Sequence, residues 1–491
     1  MTLYHLFSRK HLSTSIICLL FATANIQTES YANETIHDSI PTIGNTASSL
    51  VSVEQEKRLG KAWLRALRQR TQVYDNAIVE NYFSNLVYSL APNSQVIDRD
   101  FRFVIVDSPS LNAFAVPGSI IGINAGLFFN TGSEQEFASV IAHELAHLSQ
   151  RHYARQLEQQ QLSKPLTLAG MLASVVLIAT TGTDAGLAAL ATTQALSVDQ
   201  QLRFSRKNEQ EADRVGIEIL HQSNFDPRAM PSMFELMFRK NRVHGEAIPE
   251  YLSTHPLSET RIADSRNRAS QYPVRRYVDS IDYYLCRNIV VANYSESPQK
   301  AKLYFESILK KGNSLQLDAA KFGLAYSVTE SDPEKALALL EELLTHYPNK
   351  FAIQIQHAFA LQANQQGKKA IQILENLLQR NPNNYPIADA LAQLYLKNDL
   401  ITQYEQRLIK LSRSYEENPK IWYLLAEAHG LAGNIVELHM ARAEFYYLTN
   451  RMEPALEQLN LALRKSKVET ITARIQKRMD EFYEIQKNPV F

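Results

Sequence analysis

The segment that decides the fold of this chain reads Val140-Ile-Ala-His-Glu-Leu-Ala-His-Leu148. Its apolar residues follow a helical spacing. Because residues four apart lie one turn above each other, His143 and His147 can bind one metal ion from the same helix face. Glu144 lies about 100° further round the helix, so we expect it to act as a base toward a water and not as a ligand. The alternative is a helix with two surface histidines.

A third ligand is expected from an acidic helix start further along the chain, Asn208-Glu-Gln-Glu-Ala-Asp213. Glu209 and Asp213 are again four residues apart, so Glu209 can complete a His–His–Glu site. Asp213 is then expected to support a ligand histidine through its free N–H, and we count it with the catalytic residues. Glu211 points elsewhere on the helix and is the reserve candidate. The alternative is that these acids only compensate the helix dipole.

The elements around these motifs are mainly helical. Helical spacing runs from Val53 to Leu90, from about Glu134 to His152 and from about Asn208 to His221. Two extended stretches, Phe101–Asp107 and Ala113–Asn124, predict a small β-sheet. The small apolar residues of Pro165–Val198 predict a buried helical hairpin; the alternative is a lid or a shallow membrane contact through 166–198.

A helical repeat follows after about residue 270. Three nine-residue segments align, and they begin at Ala301, Ala336 and Ala370, which gives periods of 35 and 34 residues. This spacing is typical of tetratricopeptide repeats and disfavours an irregular helical bundle. We therefore predict a linker over 271–290 and a tetratricopeptide α-solenoid over 291–486, whose concave face is a binding surface.

The composition excludes several classes of protein. The chain has 51 basic and 51 acidic residues, so its net charge gives no reason to expect a nucleic-acid partner. Only two cysteines are present, which excludes a disulfide framework and a thiolate zinc finger.

The N-terminus predicts export. Basic residues precede the apolar run Ile16–Ala24, which is too short to cross a bilayer and is typical of a secretory signal. Small residues permit cleavage after Ala24 or Ala32, and we favour a signal peptide over 1–32 followed by a flexible lead-in over 33–50. The alternative is an uncleaved amphipathic anchor.

These motifs resemble those of the family-48 zinc metallopeptidases, the gluzincin group that includes the CAAX prenyl proteases. The H-E-x-x-H and E-x-x-x-D motifs of that family match His143, Glu144, His147, Glu209 and Asp213. The resemblance covers the predicted peptidase domain, 51–270, and implies one zinc ion per chain. It also implies an edge strand that pairs with substrate backbone, formed by Asn112, Ala113, Phe114, Ala115, Val116, Pro117 and Gly118. A second glycine usual after this strand is Ser119 here, which puts the turn in question.

His255, in Ser253-Thr-His-Pro256, has two interpretations. It is either an ordinary surface-loop histidine or, as the resemblance implies, a fourth zinc ligand that blocks the water and acts as a gate.

The order of an export signal, this peptidase and tetratricopeptide repeats is similar to that of periplasmic family members of Gram-negative bacteria. The resemblance implies outer-membrane protein quality control, in which the enzyme promotes assembly and degrades stalled clients. The implied partners are the outer-membrane barrel assembly machinery and unfolded outer-membrane proteins, bound through the repeats. The alternative is a tetratricopeptide adaptor or chaperone with a latent protease domain.

Overall fold

The structure is a computed structural model that describes residues 52–159, 206–243, 250–310 and 314–487. All of them belong to one compact unit, 47–491. The predicted signal peptide 1–32, the lead-in 33–50 and the whole predicted apolar hairpin Pro165–Val198, with its membrane contact over 166–198, lie outside the described residues. Among the described residues, no helix is both long and apolar enough to cross a bilayer.

The first part of the described chain packs helices around a three-stranded sheet, as the sequence predicts. The strands are β1 (Arg102–Val106), β2 (Ala113–Val116) and β3 (Ile120–Asn124). The helices are α1 (Val53–Arg70), α2 (Ala77–Leu90), α3 (Leu127–Asn130), α4 (Glu134–Ser149), α5 (His152–Gln159), α6 (Arg206–Gln222), α7 (Ala229–Val243), α8 (Glu250–Thr254) and α9 (Glu259–Ser270).

The sheet has the order β1-β3-β2, with β1 parallel and β2 antiparallel to β3, so β2 lies at an edge. The turn from β2 to β3 uses Gly118 at φ +85°, where a Cβ atom would approach the Glu56 carbonyl oxygen to 2.7 Å. Ser119 follows at φ 58°, a left-handed conformation, and its hydroxyl donates a hydrogen bond of 2.8 Å to the Asp98 carbonyl. The serine therefore forms the turn despite the missing glycine.

The helical region predicted over 53–90 is interrupted between α1 and α2. There Val73 forms an antiparallel bridge with Val106 at the end of β1. Asn76 then caps α2, because its side chain accepts hydrogen bonds from the N–H groups of Ile78 and Val79. Pairing with the sheet thus overrides the helical spacing of the sequence.

Helix α4 forms the centre of the peptidase part. Ser133 caps it by accepting a hydrogen bond from the Glu136 N–H, and Glu134 and Glu136 lie in its first turn. Every residue from Phe137 to His147 is buried. Helix α4 packs against α6, α7 and β2, so a motif placed on it lies inside the fold.

The second part of the described chain is the predicted series of repeat helices, each of which packs on the next. They are α10 (Ile281–Tyr294), α11 (Pro298–Ile308), α12 (Ser314–Val328), α13 (Pro333–His346), α14 (Phe351–Ala363), α15 (Gly367–Arg380), α16 (Tyr385–Lys397), α17 (Ile401–Ser414), α18 (Pro419–Leu431), α19 (Ile435–Leu448), α20 (Met452–Lys465) and α21 (Glu469–Lys487).

Helix α10 corrects the linker predicted over 271–290, because residues 281–290 belong to this helix and pack against α2 and α3. Tyr283 is fully buried among Tyr82, Phe128 and Phe137, with ring centroids 5.7–6.4 Å apart. Its hydroxyl lies 2.7 Å from Thr131 Oγ1. Residues 281–290 are thus buried in the peptidase core. Helical periodicity does not predict this burial, because it depends on contacts with distant segments.

Later repeats also contact the peptidase part. Arg102 of β1 binds Glu417 at 2.5 Å, and Lys420 of α18 binds Asp75 at 2.8 Å. Helices α16 and α19 pack against α2 and α1 respectively. The repeats therefore hold the peptidase part along α1, α2 and β1.

We expect Tyr283→Ala to destabilise the whole chain by about 3–5 kcal/mol, because it removes a buried aromatic side chain from the core shared by both parts. Urea denaturation followed by tryptophan fluorescence and circular dichroism measures the effect. Tyr483→Ala is the matched control, since Tyr483 is 47% exposed. Equal midpoints for the two variants would contradict the shared core.

Candidate metal centre

Helix α4 presents the two histidines of the motif on one buried face. His143 and His147 are each 1% exposed, and their Nε2 atoms lie 3.0 Å apart. Both rings thus direct the same nitrogen toward one point, and the alternative of two surface histidines is excluded. Burial lowers the pKa of His147 well below its usual value and so favours its neutral form.

Helix α6 brings Glu209 to the same point. Glu209 Oε2 lies 3.5 Å from His143 Nε2, and its Oε1 lies 3.4 Å from His147 Nε2. Gly216 permits this close packing, because a Cβ atom there would lie 2.7 Å from Met230 Cε and 3.3 Å from the His143 backbone nitrogen. The two helices therefore approach closely enough to share one site.

The donor set fits a zinc ion. Tetrahedral ligands at about 2.0–2.1 Å from zinc lie roughly 3.3 Å from one another, which is close to the separations of these three side chains. Among the described residues, His143, His147, Glu209 and His255 have ligand atoms that all lie within 4.8 Å of one another. Two imidazoles and a carboxylate are the donor types of a catalytic zinc site.

Asp213 lies behind the first histidine. Its Oδ1 lies 3.0 Å from His143 Nδ1, the nitrogen that faces away from the other ligands. Burial favours the neutral ring, but the contacts with Asp213 and Glu209 outweigh it and raise the pKa of His143 to about 9. A carboxylate behind a ligand histidine fixes the orientation of the ring.

Arg261 of α9 balances the charge of both carboxylates. Its guanidinium donates two hydrogen bonds of 2.8 Å to Asp213, and its Nη1 lies 2.8 Å from Glu209 Oε2. Although burial favours its neutral form, the attraction of His255 and Arg261 holds the pKa of Glu209 well below its usual value. No local spacing of the sequence points to Arg261, because it lies 48 residues from Asp213.

His152 lies behind the second histidine, and no spacing in the sequence points to it. Its Nδ1 lies 2.8 Å from His147 Nδ1, and its Nε2 lies 3.2 Å from Glu211. The predicted helix through His152 is wrong here, because α4 ends at Ser149 and Arg151 adopts φ 46°. In a continuous helix His152 would point about 140° away from His147, so only the break makes the contact possible.

Glu211, the reserve ligand, faces this second layer and not the centre. Its Oε2 accepts a hydrogen bond of 2.8 Å from Arg155 and lies 3.2 Å from His152 Nε2. Glu209 therefore lies beside the Nε2 atom of His147, whereas Glu211 contacts His152, which lies behind His147.

His255 lies at the C-terminal end of α8 and is 2% exposed, which excludes the surface-loop interpretation. Its Nδ1 lies 3.4 Å from His143 Nε2 and 3.2 Å from Glu209 Oε1. Helix α8 is fixed to the sheet by Glu250, whose carboxylate accepts hydrogen bonds from Asn124 and Ser110. The fold thus places His255 beside the three predicted ligands.

Glu144 lies beside this group without joining it. Its Oε1 is 3.5 Å from His255 Nε2, and it is buried next to the ligands. Burial raises the pKa of Glu144 above its usual value, although His255 and His143 lower it. A carboxylate with a raised pKa exchanges a proton more readily near neutral pH, as a general base requires.

Comparisons with known proteins agree with this geometry. The model of "Peptidase family M48" matches residues 78–269, and that of the tetratricopeptide repeat matches 328–394 and 361–428. The beta-barrel assembly-enhancing protease of Escherichia coli K12 is 32% identical over 480 residues, which cover 97% of this chain and 98% of that protein. The chain belongs to the beta-barrel assembly-enhancing protease family, whose peptidase domain is of family M48.

Other relatives match either most of this chain or a shorter part of it. The putative beta-barrel assembly-enhancing protease of Vibrio cholerae is 35% identical over 85% of this chain and 86% of its own length. The mitochondrial metalloendopeptidase OMA1 of Arabidopsis thaliana is 31% identical over 39% of this chain and 36% of its own length. The chain is therefore a metallopeptidase with tetratricopeptide repeats.

We expect Glu209→Gln to lower the metal bound per chain, because a neutral amide is a poorer ligand than a carboxylate. Elemental analysis of the purified chain measures the metal content. Glu211→Gln is the matched control on the same helix, and it should keep its metal because Glu211 contacts only the second layer. The opposite order of metal loss would show that Glu211 is the ligand.

Proposed function

We propose that the chain is an exported zinc endopeptidase that promotes outer-membrane barrel assembly and degrades misassembled clients. The observation that carries the proposal is the convergence of His143, His147 and Glu209 beside the buried Glu144. Relatives that match nearly the full length are named beta-barrel assembly-enhancing proteases, which supports the biological role. We further propose 1–32 as the signal peptide and the periplasm of a Gram-negative bacterium as the location.

The domain division that we propose is a peptidase domain over 51–270 and a repeat domain over 291–486. Helix α10 crosses the proposed boundary and packs in the peptidase core. The two domains are therefore expected to fold and to act together.

The proposed chemistry follows from the side chains around the centre. One zinc ion per chain, when bound by His143, His147 and Glu209, supplies a positive charge that lowers the pKa of a water and polarises the scissile carbonyl. Glu144 would take the proton of the attacking water as the water oxygen bonds to the scissile carbonyl carbon, and would pass that proton to the amine as the C–N bond breaks. Asp213 keeps His143 oriented throughout, and it does so through Nδ1.

The proposed substrate strand is the segment from Asn112 to Gly118. Its central part is β2, which lies at the edge of the sheet and packs against α4, the helix that carries His143. An extended substrate that adds to such an edge receives backbone hydrogen bonds whatever its sequence. We propose that this pairing places a peptide bond beside the metal centre.

The proposed partners are the outer-membrane barrel assembly machinery and unfolded outer-membrane proteins, bound through the repeats. Stacked helical repeats typically form extended binding surfaces. Attachment of a protease to such a surface raises the local concentration of substrate without new contacts at the active site.

A second function is an adaptor or chaperone with a latent protease. The position of His255 favours it, because this ring faces both the proposed ligands and Glu144. If His255 holds the fourth position at rest, a water has no place there and proteolysis awaits its displacement.

We expect Glu144→Gln to keep about one zinc per chain and to lose casein cleavage by about 100-fold or more, because an amide cannot accept the proton. Glu218→Gln, which alters an exposed carboxylate of α6, is the control. Loss of zinc from Glu144→Gln would contradict the role of a base. Normal barrel assembly in cells that carry only this variant would favour the adaptor function over the protease function.

We expect His255→Ala to raise casein cleavage and self-cleavage, because the fourth position then becomes accessible to water. His346→Ala is the control, since His346 is exposed and lies on a repeat helix. Cleavage that stays at the wild-type rate would refute the gate. A slower rate would refute it as well and would assign His255 to stabilisation of the oxyanion.

A further inference from the structure

A cavity of about 420 Å³ lies between α1 and the C-terminal repeats, and none of its lining residues belongs to the metal centre. Helix α1 supplies one wall, which includes Leu64 and Arg68. The repeat helices α17, α18, α19 and α21 supply the facing wall, which includes Arg413, Trp422 and Leu448. A ligand in this cavity would contact both the peptidase part and the repeats.

The cavity carries more positive than negative charge. Glu417 is engaged by Lys61 at 2.9 Å and by Arg102 at 2.5 Å, and Glu444 is engaged by Arg478 at 2.7 Å. The basic lining residues are Lys61, Arg65, Arg68, Arg413 and Arg478, and the acidic ones are Glu416, Glu417 and Glu444.

Among the lining residues, Arg65, Arg68 and Arg413 form no ion pair in the described part of the chain, and the unpaired Glu416 offsets only one of these three charges. Arg68 and Arg413 differ from Arg65, which donates a hydrogen bond to the Tyr447 hydroxyl. Neither guanidinium forms an ion pair or a hydrogen bond with another residue in the described part of the chain. Burial, opposed by the more distant carboxylates of Glu417 and Glu80, lowers the pKa of Arg68 to about 10. A partly buried guanidinium without a carboxylate at contact distance is an open site for an anion.

The walls beside Arg68 are apolar or aromatic. Leu64 is 2% exposed and Leu448 is 6% exposed. The ring of Tyr447 is fixed between two guanidinium groups, with Arg65 4.8 Å and Arg478 5.1 Å from its centroid. The cavity thus offers a surplus positive charge next to an apolar surface.

We propose that this cavity binds the C-terminal residue of a polypeptide, with its α-carboxylate at Arg68 and its apolar side chain against Leu64 and Leu448. The chain is a metallopeptidase, so its ligands are polypeptides. A carboxylate on the same carbon as an apolar side chain occurs in a polypeptide only at the C-terminus. A C-terminal residue therefore carries both groups that the cavity can contact, a carboxylate for the positive charge and a side chain for the apolar walls.

Such binding gives the cavity a function that differs from peptide-bond cleavage. A client held by its C-terminus at α1 stays attached while other segments reach the metal centre, which raises their local concentration there. The site would select clients by a free apolar end and not by the sequence around the cleaved bond.

The test uses the full mature chain with Glu144→Gln, so that the probe is not cut. The probe is a fluorescent ten-residue Gly/Ser peptide that ends in leucine, with either a free or an amidated C-terminus. Fluorescence anisotropy should show at least about 10-fold tighter binding of the free acid, the size expected for hydrogen bonds to a charged group. Equal affinities would overturn the proposal.

Variants locate the effect. Arg68→Gln should abolish the difference between acid and amide, and Arg413→Gln on the facing wall should reduce it. Arg58→Gln, an exposed residue of α1 outside the cavity, should preserve it. Discrimination that survives in a folded, metal-loaded Arg68→Gln chain would overturn the site, as would equal binding of an amidated peptide with an internal glutamate.

Discussion

The close approach of α4 and α6 is the constraint on which the rest of the peptidase part depends. Each helix carries a pair of polar side chains four residues apart, and each pair is buried. Buried carboxylates are costly unless charged or hydrogen-bonding partners meet them. Arg261 forms ion pairs with both Glu209 and Asp213. Helix α9 is therefore held at the site by the same two carboxylates that contact the histidines.

Contacts near the candidate site also fix the positions of the elements around it. Helix α8 brings His255 to the candidate ligands because Glu250 binds Asn124 at the end of β3. The edge strand β2 lies against α4, and the break after Ser149 turns His152 back onto His147. The contacts that stabilise the core therefore also orient the candidate ligands.

Much of this follows from the sequence alone. Local periodicity predicts the helix of His143 and His147, the facing pair on α6 and the repeat helices, because each depends on residues within one or two turns. What periodicity cannot predict depends on contacts between distant segments. The partners of Arg261, the burial of residues 281–290 and the bridge of Val73 to Val106 are of this kind.

The repeats as far as Ala441 share a hydrophobic core with the peptidase part, and the helices after it form a second cluster. Tyr283 packs among the aromatic residues of the peptidase, and Arg102 and Asp75 bind residues of the later repeats. A ligand bound by the repeats therefore lies on a surface that continues into the peptidase part. This arrangement gives a physical basis for linking client capture with cleavage.

The central claim is that one zinc ion is held between α4 and α6 by imidazole and carboxylate groups. X-ray absorption at the zinc edge, combined with elemental analysis of the purified mature chain, tests it most directly. We expect about one zinc per chain, bound only by nitrogen and oxygen at about 2.0–2.2 Å. A chain without zinc that still cleaves casein, or a zinc ion with a sulfur ligand at about 2.3 Å, would contradict it.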